Sequence, residues 1–410
     1  MNNSVEKKDS QNFFVLASIP SAAVSLPCFM IGDILAKKYG DGIAIGSIIA
    51  GNLILWLIGM AIISMGSQNR INGIQNIKNY LGKLGCLLSA FILIICFLDW
   101  FALQINITVE NLQTILPSGY FTRKDFPIRL GTSLGLFSAL LALGGIRLLK
   151  WISVIVFPLL LIYQVFAIWQ SGYSLTSYSI GLSLSATMTV ISLFLPGIVN
   201  LPTFFRYSKS PADSVLGLSL FTVACIFFES STIWIQSTEY YVIGSLGVFA
   251  AFFFLISVLT SSNLLNIYFA SACYDTLVPR FSGIKGHAII GLLGSAIYAF
   301  VQIEAPLSFL VDLFNCYLLS LGTVLLIAFF IRKFVNHRIR PLEKWISCLV
   351  WVVGCIAGTF TKIHHPDNEL YFLLIGMGVV FLLFLCILLV EETIWAIREL
   401  VLQKGKKEHV

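Results

Sequence analysis

Charge is what this sequence lacks most. Of its 410 residues only 11% are Asp, Glu, Lys or Arg, against 58% hydrophobic, and mean hydropathy is +0.90. A soluble domain covers its surface with about 25% charged residues, and this chain has less than half of that. Length alone would allow two or three soluble domains; the shortage of charge instead makes lipid the solvent around most of the chain. A CxxC pair is also missing. The nine cysteines are scattered, mostly inside apolar runs, so they read as small apolar residues and exclude a disulfide frame or zinc site. No glycine-rich nucleotide loop, run of metal ligands or nucleophile triad occurs, which argues against a primary pump or a membrane enzyme, and no prosthetic cofactor is implied. None of the five histidines lies deep in an apolar stretch, so a histidine proton relay is not expected.

What is present is long apolar stretches. Crossing a hydrocarbon core of roughly 30 Å takes about 20 helical residues. Twelve stretches qualify, near 13–36, 43–66, 84–108, 128–149, 151–170, 186–206, 213–236, 247–275, 287–304, 307–331, 344–362 and 369–397. They are continuous, not alternating, and lipid admits only helices or closed barrels, so the expected fold is an all-α polytopic membrane protein. The polar N-terminal tail, 1–12, leads into a span too long for a signal-peptide core, and no cleaved signal is expected.

The net charge of +6 is spread between spans, which points to loop anchoring in a lipid bilayer and not to nucleic acid; no feature calls for an obligate protein partner. With both termini cytoplasmic, twenty of the 26 basic residues fall on the inner side of a bacterial-type inner membrane, as the positive-inside rule requires. In a background without reactive cysteines, cysteines replacing Lys78 or Lys209 should resist impermeant thiol reagents added outside, and one replacing Lys124 should react. Outside labelling at Lys209 would refute this topology.

Prolines are concentrated. Five of twelve fall inside proposed spans, and four of those five sit in spans 1 and 6: Pro20 and Pro27, Pro196 and Pro202. Proline removes a helix donor and clashes with the preceding turn, so both spans should break or kink near mid-membrane. Irregular backbone at that depth is tolerated only where it is buried in protein or lines a cavity. Spans 1 and 6 also open two five-span halves, 13–170 and 171–335, of opposite orientation. Interrupted helices at matching positions of inverted repeats point to a transporter's midplane site. Residues 336–397 then form two peripheral helices and 398–410 a basic tail.

Polar groups at membrane depth supply the candidate ligands. In span 3, Asp99 lies near the middle, where an aspartate costs about 2.5–3.5 kcal/mol to insert; it either faces a cavity or is neutralised in an interhelical hydrogen bond. Trp100 and Gln104 are four apart and share a face, a pairing of flat ring and amide that suits a flat heterocycle. Span 8 carries Thr260, Ser261, Ser262, Asn263 and Asn266. Such neutral oxygens can replace water around a hard cation, or serve as interhelical glue. Glu229, in span 7 and nearer its outer end, is the weaker ionisable candidate. Asp33, Glu239, Glu304 and Asp312 fall near span ends and are expected to be solvated.

Four segments carry a resemblance. Gly51-Asn-Leu-Ile-Leu55, Asp99-Trp-Phe-Ala-Leu-Gln104, Phe204-Phe-Arg-Tyr-Ser-Lys-Ser-Pro-Ala-Asp213 and Thr260-Ser-Ser-Asn263 through Ser271 are similar, in order and spacing, to segments of the nucleobase–cation symporter family of cytosine, purine, allantoin and hydantoin permeases. The likeness spans roughly 15–335. It implies the LeuT-type core, a 5+5 inverted repeat with broken helices 1 and 6, plus two C-terminal helices, and substrate held between spans 1, 3, 6 and 8. It further implies Trp100 and Phe194 as aromatic faces, Gln104, Asn263 and Asn266 as polar contacts, and a sodium site of span 1 carbonyls around Val24 and Pro27 with the hydroxyls of Ser261 and Ser262. The chain departs from the family pattern at Asp99, Pro196 and Thr203, so the polar edge of the site differs. The function implied is Na+- or H+-coupled uptake of a nucleobase or related heterocycle. Two alternatives are an amino-acid or amine carrier that pairs Asp99 with the substrate ammonium, and a sensor or scaffold that does not transport.

Overall fold

A computed structural model describes residues 10–24, 26–67, 70–115, 125–171, 180–235, 247–304, 308–334, 343–365 and 369–407. The helices in order are α1 (Phe13–Ala22), α2 (Leu26–Tyr39), α3 (Asp41–Ser67), α4 (Gly73–Ile115), α5 (Phe126–Ala142), α6 (Gly145–Gln170) and α7 (Leu184–Asn200). There follow α8 (Pro202–Phe205), α9 (Pro211–Ile235), α10 (Gly247–Leu277), α11 (Ile284–Glu304), α12 (Ser308–Phe334), α13 (Lys344–His364) and α14 (Glu369–Lys407). Each of the twelve expected apolar stretches is mainly helical among the described residues. Among the described residues nine helices are long and apolar enough to cross a membrane, and three shorter apolar helices lie at Phe13–Ala22, Phe126–Ala142 and Ile284–Phe300. The chain is a multi-pass, all-α membrane protein.

Span 1 breaks where its prolines bracket it. The α1 helix tightens at its end, with Ala23 N–H donating to Pro20 O and Val24 N–H to Ser21 O, both at 3.2 Å, before the chain re-enters helix at Leu26. Span 6 breaks less deeply. Pro196 lies inside α7, Leu201 keeps helical angles (φ −48°, ψ −38°), and Pro202 starts the single turn of α8. Each internal proline still strips the carbonyl four residues back, Leu16 or Ser192, of its helical donor. The start of span 1 and the end of span 6 are tied together: Gln11 N–H donates to Tyr207 O (2.7 Å), Lys209 N–H to Gln11 O (2.9 Å) and Phe13 N–H to Asp213 Oδ1 (3.1 Å).

Two compact units emerge, one of the described residues to Ile74 with Ala90–Val311, the other of Gln75–Ser89 with Asp312–Val410. In the first, α1 packs on α6 and α9, α2 on α3 and α9, α3 on α7, and α5 on α10 and α11. In the second, α13 packs along α14 through small residues: a Cβ at Gly354 would lie 3.0 Å from Gly376 O, the close backbone approach by which membrane helices associate. Helix α4 changes direction at Gly82, whose φ of +76° a side chain would strain.

Candidate functional site

The face of α4 that carries Trp100 and Gln104 also carries Phe97, at i, i+3 and i+7, a spacing that lines up one side of a helix. All three line a cavity of about 90 Å³ inside the first unit, room for several waters or one small ring. The break of span 1 supplies Pro20, Ala23 and Val24 to the wall, and span 6 supplies Phe194, Pro196, Gly197 and Leu201. Helix α10 contributes Leu265, Asn266 and Phe269, and α9 contributes Phe221. Phe97 and Phe269 meet at 5.1 Å between centroids, and Phe269 stacks on Phe204 at 5.6 Å. No lining residue is Asp, Glu, Lys, Arg or His.

Two amides provide the polar edge. Gln104 Oε1 is engaged by the Ser262 hydroxyl. Asn266 Nδ2 is buried and has no hydrogen-bond partner. An unmet donor in an apolar cavity costs about 1–3 kcal/mol, a cost that a ligand carbonyl would recover. On the neighbouring turn, the Ser261 hydroxyl donates to Ala22 O at the end of α1, and also approaches Ser257 O and Val258 O. Oxygens from α10 and from the span 1 break therefore converge at one point.

Of the expected residues, Trp100, Gln104, Phe194, Asn266 and Val24 meet around the cavity. Asp99 does not line it: one residue from Trp100 it is turned about 100° away, and it is half-buried. Asn263 is fully buried outside the lining, with neither amide atom paired. Across to other helices, the Ser262 hydroxyl reaches Gln104 and the Ser261 hydroxyl reaches Ala22, while both also bond Val258 O within α10. Pro27 starts the first turn of α2, and its side chain lies outside the described residues.

No known family pattern and no curated protein matches the sequence. Solved structures do match. Mhp1, a nucleobase-cation-symport-1 family transporter in a closed conformation with bromovinylhydantoin bound, superposes with a TM-score of 0.68 at 18% identity, over 92% of each chain. The substrate-bound, outward-open state of a Na+-coupled sialic acid symporter gives 0.66 at 14% identity, over 92% of this chain and 89% of that one. A manganese transporter of Eremococcus coleocola gives 0.55 at 12% identity, over 90% and 93%. The chain has the LeuT-type transporter fold. At these identities the likeness establishes the fold alone, and the chemistry of the site rests on this chain's own residues.

Within the LeuT-type fold, two acidic side chains depart from their expected settings. Asp33, expected in solvent, is buried in α2 and bridges the exposed Lys37 at 2.8 Å. Glu229, the weaker candidate on sequence, is fully buried, and its Oε2 accepts from Asn52 Nδ2 at 2.9 Å. Depth along a span was the wrong criterion for Glu229, because burial here is set by the packing of α9 on α2 and α3. The signal was an asparagine at membrane depth in span 2, which calls for a polar partner. Glu239 lies outside the described residues, as do the side chains of Glu304 and Asp312.

Proposed function

We propose that this chain is a secondary active transporter of the nucleobase–cation symporter type. It couples uptake of a neutral nucleobase or related small heterocycle to a sodium or proton gradient across the inner membrane, by alternating access around the span 1 and span 6 breaks. The observation that carries the reading is the convergence of both breaks on one uncharged cavity that has aromatic faces and two amide edges. Stacking on an aromatic suits any planar ring, and amide donors suit the carbonyls of pyrimidines and hydantoins. The hydantoin bound to Mhp1, a protein of the same fold, supports that ligand class. An ammonium substrate paired with Asp99 is disfavoured, because Asp99 is not a lining residue. The halves 13–170 and 171–335 are the two inverted repeats of this reading.

The purified protein in liposomes should accumulate labelled uracil or a 5-substituted hydantoin only under an imposed inward sodium or proton gradient. Accumulation without a gradient, or none of any member of the class under either gradient, would remove the proposal.

The serines separate ion from substrate. If sodium is the coupling ion, Ser261→Ala should raise the sodium needed for half-maximal binding by about tenfold or more, taking a contact to a charged group at about 1.5 kcal/mol or above. Ser262→Ala should leave the sodium requirement alone and weaken ligand binding, because it frees Gln104. Equal sodium titrations for wild type and Ser261→Ala would take the ion away from the α1–α10 junction.

A further inference from the structure

Glu229 has no exposed surface, the only Asp, Glu, Lys or Arg among the described residues of which this is true. Its Oε2 takes one hydrogen bond from Asn52 Nδ2, and its Oε1 has no partner. Asn52 Nδ2 also donates to Ile48 O at 3.0 Å, so both of its N–H groups are used. The turn of α9 that follows Glu229 carries further buried polar groups. Gln164 of α6 bonds Ser231, Thr232 Oγ1 donates to Glu229 O at 2.9 Å, and Ser230 Oγ is buried without a partner. Eight residues, about 12 Å along α9, separate Glu229 from Phe221 in the cavity wall, and one turn of α2 separates Gly32, which abuts Glu229, from Cys28 in that wall; Glu229 itself is not a lining residue.

A carboxylate enclosed in a membrane bundle requires a compensating charge. On the elements packed against α9, the titratable neighbours are Cys28 of α2 and Cys225 of α9. Asp33 of α2 is one residue from the α2–α9 contact at Gly32 and is held by Lys37. Helix α1 carries no titratable side chain, α3 presents Asn52 and α6 presents Gln164, with Tyr163 beside it stacked on Phe254. None of these is a cation that meets Glu229, and no cluster of three metal-ligating side chains occurs among the described residues. A metal ion needs a shell of oxygens; a proton needs one.

We propose that Glu229 is a proton-binding site gated by α2, through which the transporter draws on a pH gradient. The proposal rests on the transport reading above. The gate follows from packing. At Gly32 a Cβ would run into the main-chain Glu229 O and Thr232 Oγ1, and Phe29 meets Phe228 edge-on at 5.3 Å, so α2 lies in backbone contact with α9 at the turn that carries Glu229. The break after Ala22, at Ala23 and Val24, separates α2 from α1, which allows α2 to tilt alone. When it does, water reaches Glu229. The carboxylate takes a proton from hydronium, giving the acid and water, and the reverse step releases it. Asn52 Nδ2 donates to either form.

Two measurements on the lipid-reconstituted full chain test this. The first needs no substrate: an infrared pH titration should show a carboxyl C=O band that loses intensity as pH rises, is absent in Glu229→Gln and is kept in Asp99→Asn. Asn52→Ala should shift that band, which keeps the test alive if Glu229→Gln folds poorly. The second uses labelled uracil and a labelled 5-substituted hydantoin under a pH gradient without sodium. Glu229→Gln should lose accumulation, falling to the level without a gradient, while keeping exchange of internal for external ligand. A Glu229 band that never titrates, a band unchanged in Glu229→Gln, or full pH-driven accumulation by that variant would overturn the proposal. If neither ligand is carried by wild type, the heterocycle reading fails while the infrared result still decides Glu229.

Discussion

Gly197→Leu should abolish ligand binding, by about 100-fold or more, in a protein that still folds. A Cβ at Gly197 would meet nothing within 4 Å, although the residue sits on a packed helix, because it faces the cavity. The side chain of leucine would occupy the space a ligand needs. One surplus methylene in a fitted pocket already costs about 10- to 200-fold, and leucine adds more than one. The helix itself gains, since glycine is worth about 1 kcal/mol less than a good helix former. Calorimetric binding of a confirmed ligand, alongside thermal unfolding in the same detergent, checks both halves. Gly32→Leu is the contrasting case: its Cβ would strike the Glu229 carbonyl, so that variant should lose stability. Undiminished binding by Gly197→Leu would place the ligand elsewhere.

Trp100→Ala should weaken binding of any planar ligand by about 10- to 100-fold, because stacking a base on an aromatic is worth about 1–3 kcal/mol and 1.4 kcal/mol is tenfold. The loss should be similar for pyrimidines and hydantoins, since a π-face carries no sequence of donors and acceptors. Gln104→Ala should instead discriminate among ligands by their carbonyl positions. Titration of each variant with two ring types separates these effects. Equal affinity in wild type and Trp100→Ala would show that this face of α4 is not the platform.

How much of this was legible in the sequence follows from the physics of each signal. Twelve apolar stretches and the proline pairs at 20/27 and 196/202 marked spans and breaks, because lipid forbids unpaired backbone and proline cannot hide its missing donor. Trp100 and Gln104 could be placed on one face from their spacing alone. The depth of the span 6 break was not legible: Leu201 retains helical angles, so Pro196 and Pro202 kink more than they unwind. Nor was the partition of Ser261 from Ser262, adjacent hydroxyls that a helix turns toward different neighbours, one to Ala22 and one to Gln104. Asn52 and Glu229 are far apart in the chain, and only the packing of α3 on α9 joins them.

The central claim, a neutral planar ring held between the two breaks, is tested most directly by a thermal-shift screen of the purified protein against pyrimidines, purines, hydantoins, amino acids and amines. Neutral planar heterocycles should raise the unfolding temperature in wild type and not in Gly197→Leu, and amines and amino acids should leave it unchanged. Stabilisation by an amine or amino acid, with none by any heterocycle, would contradict the account.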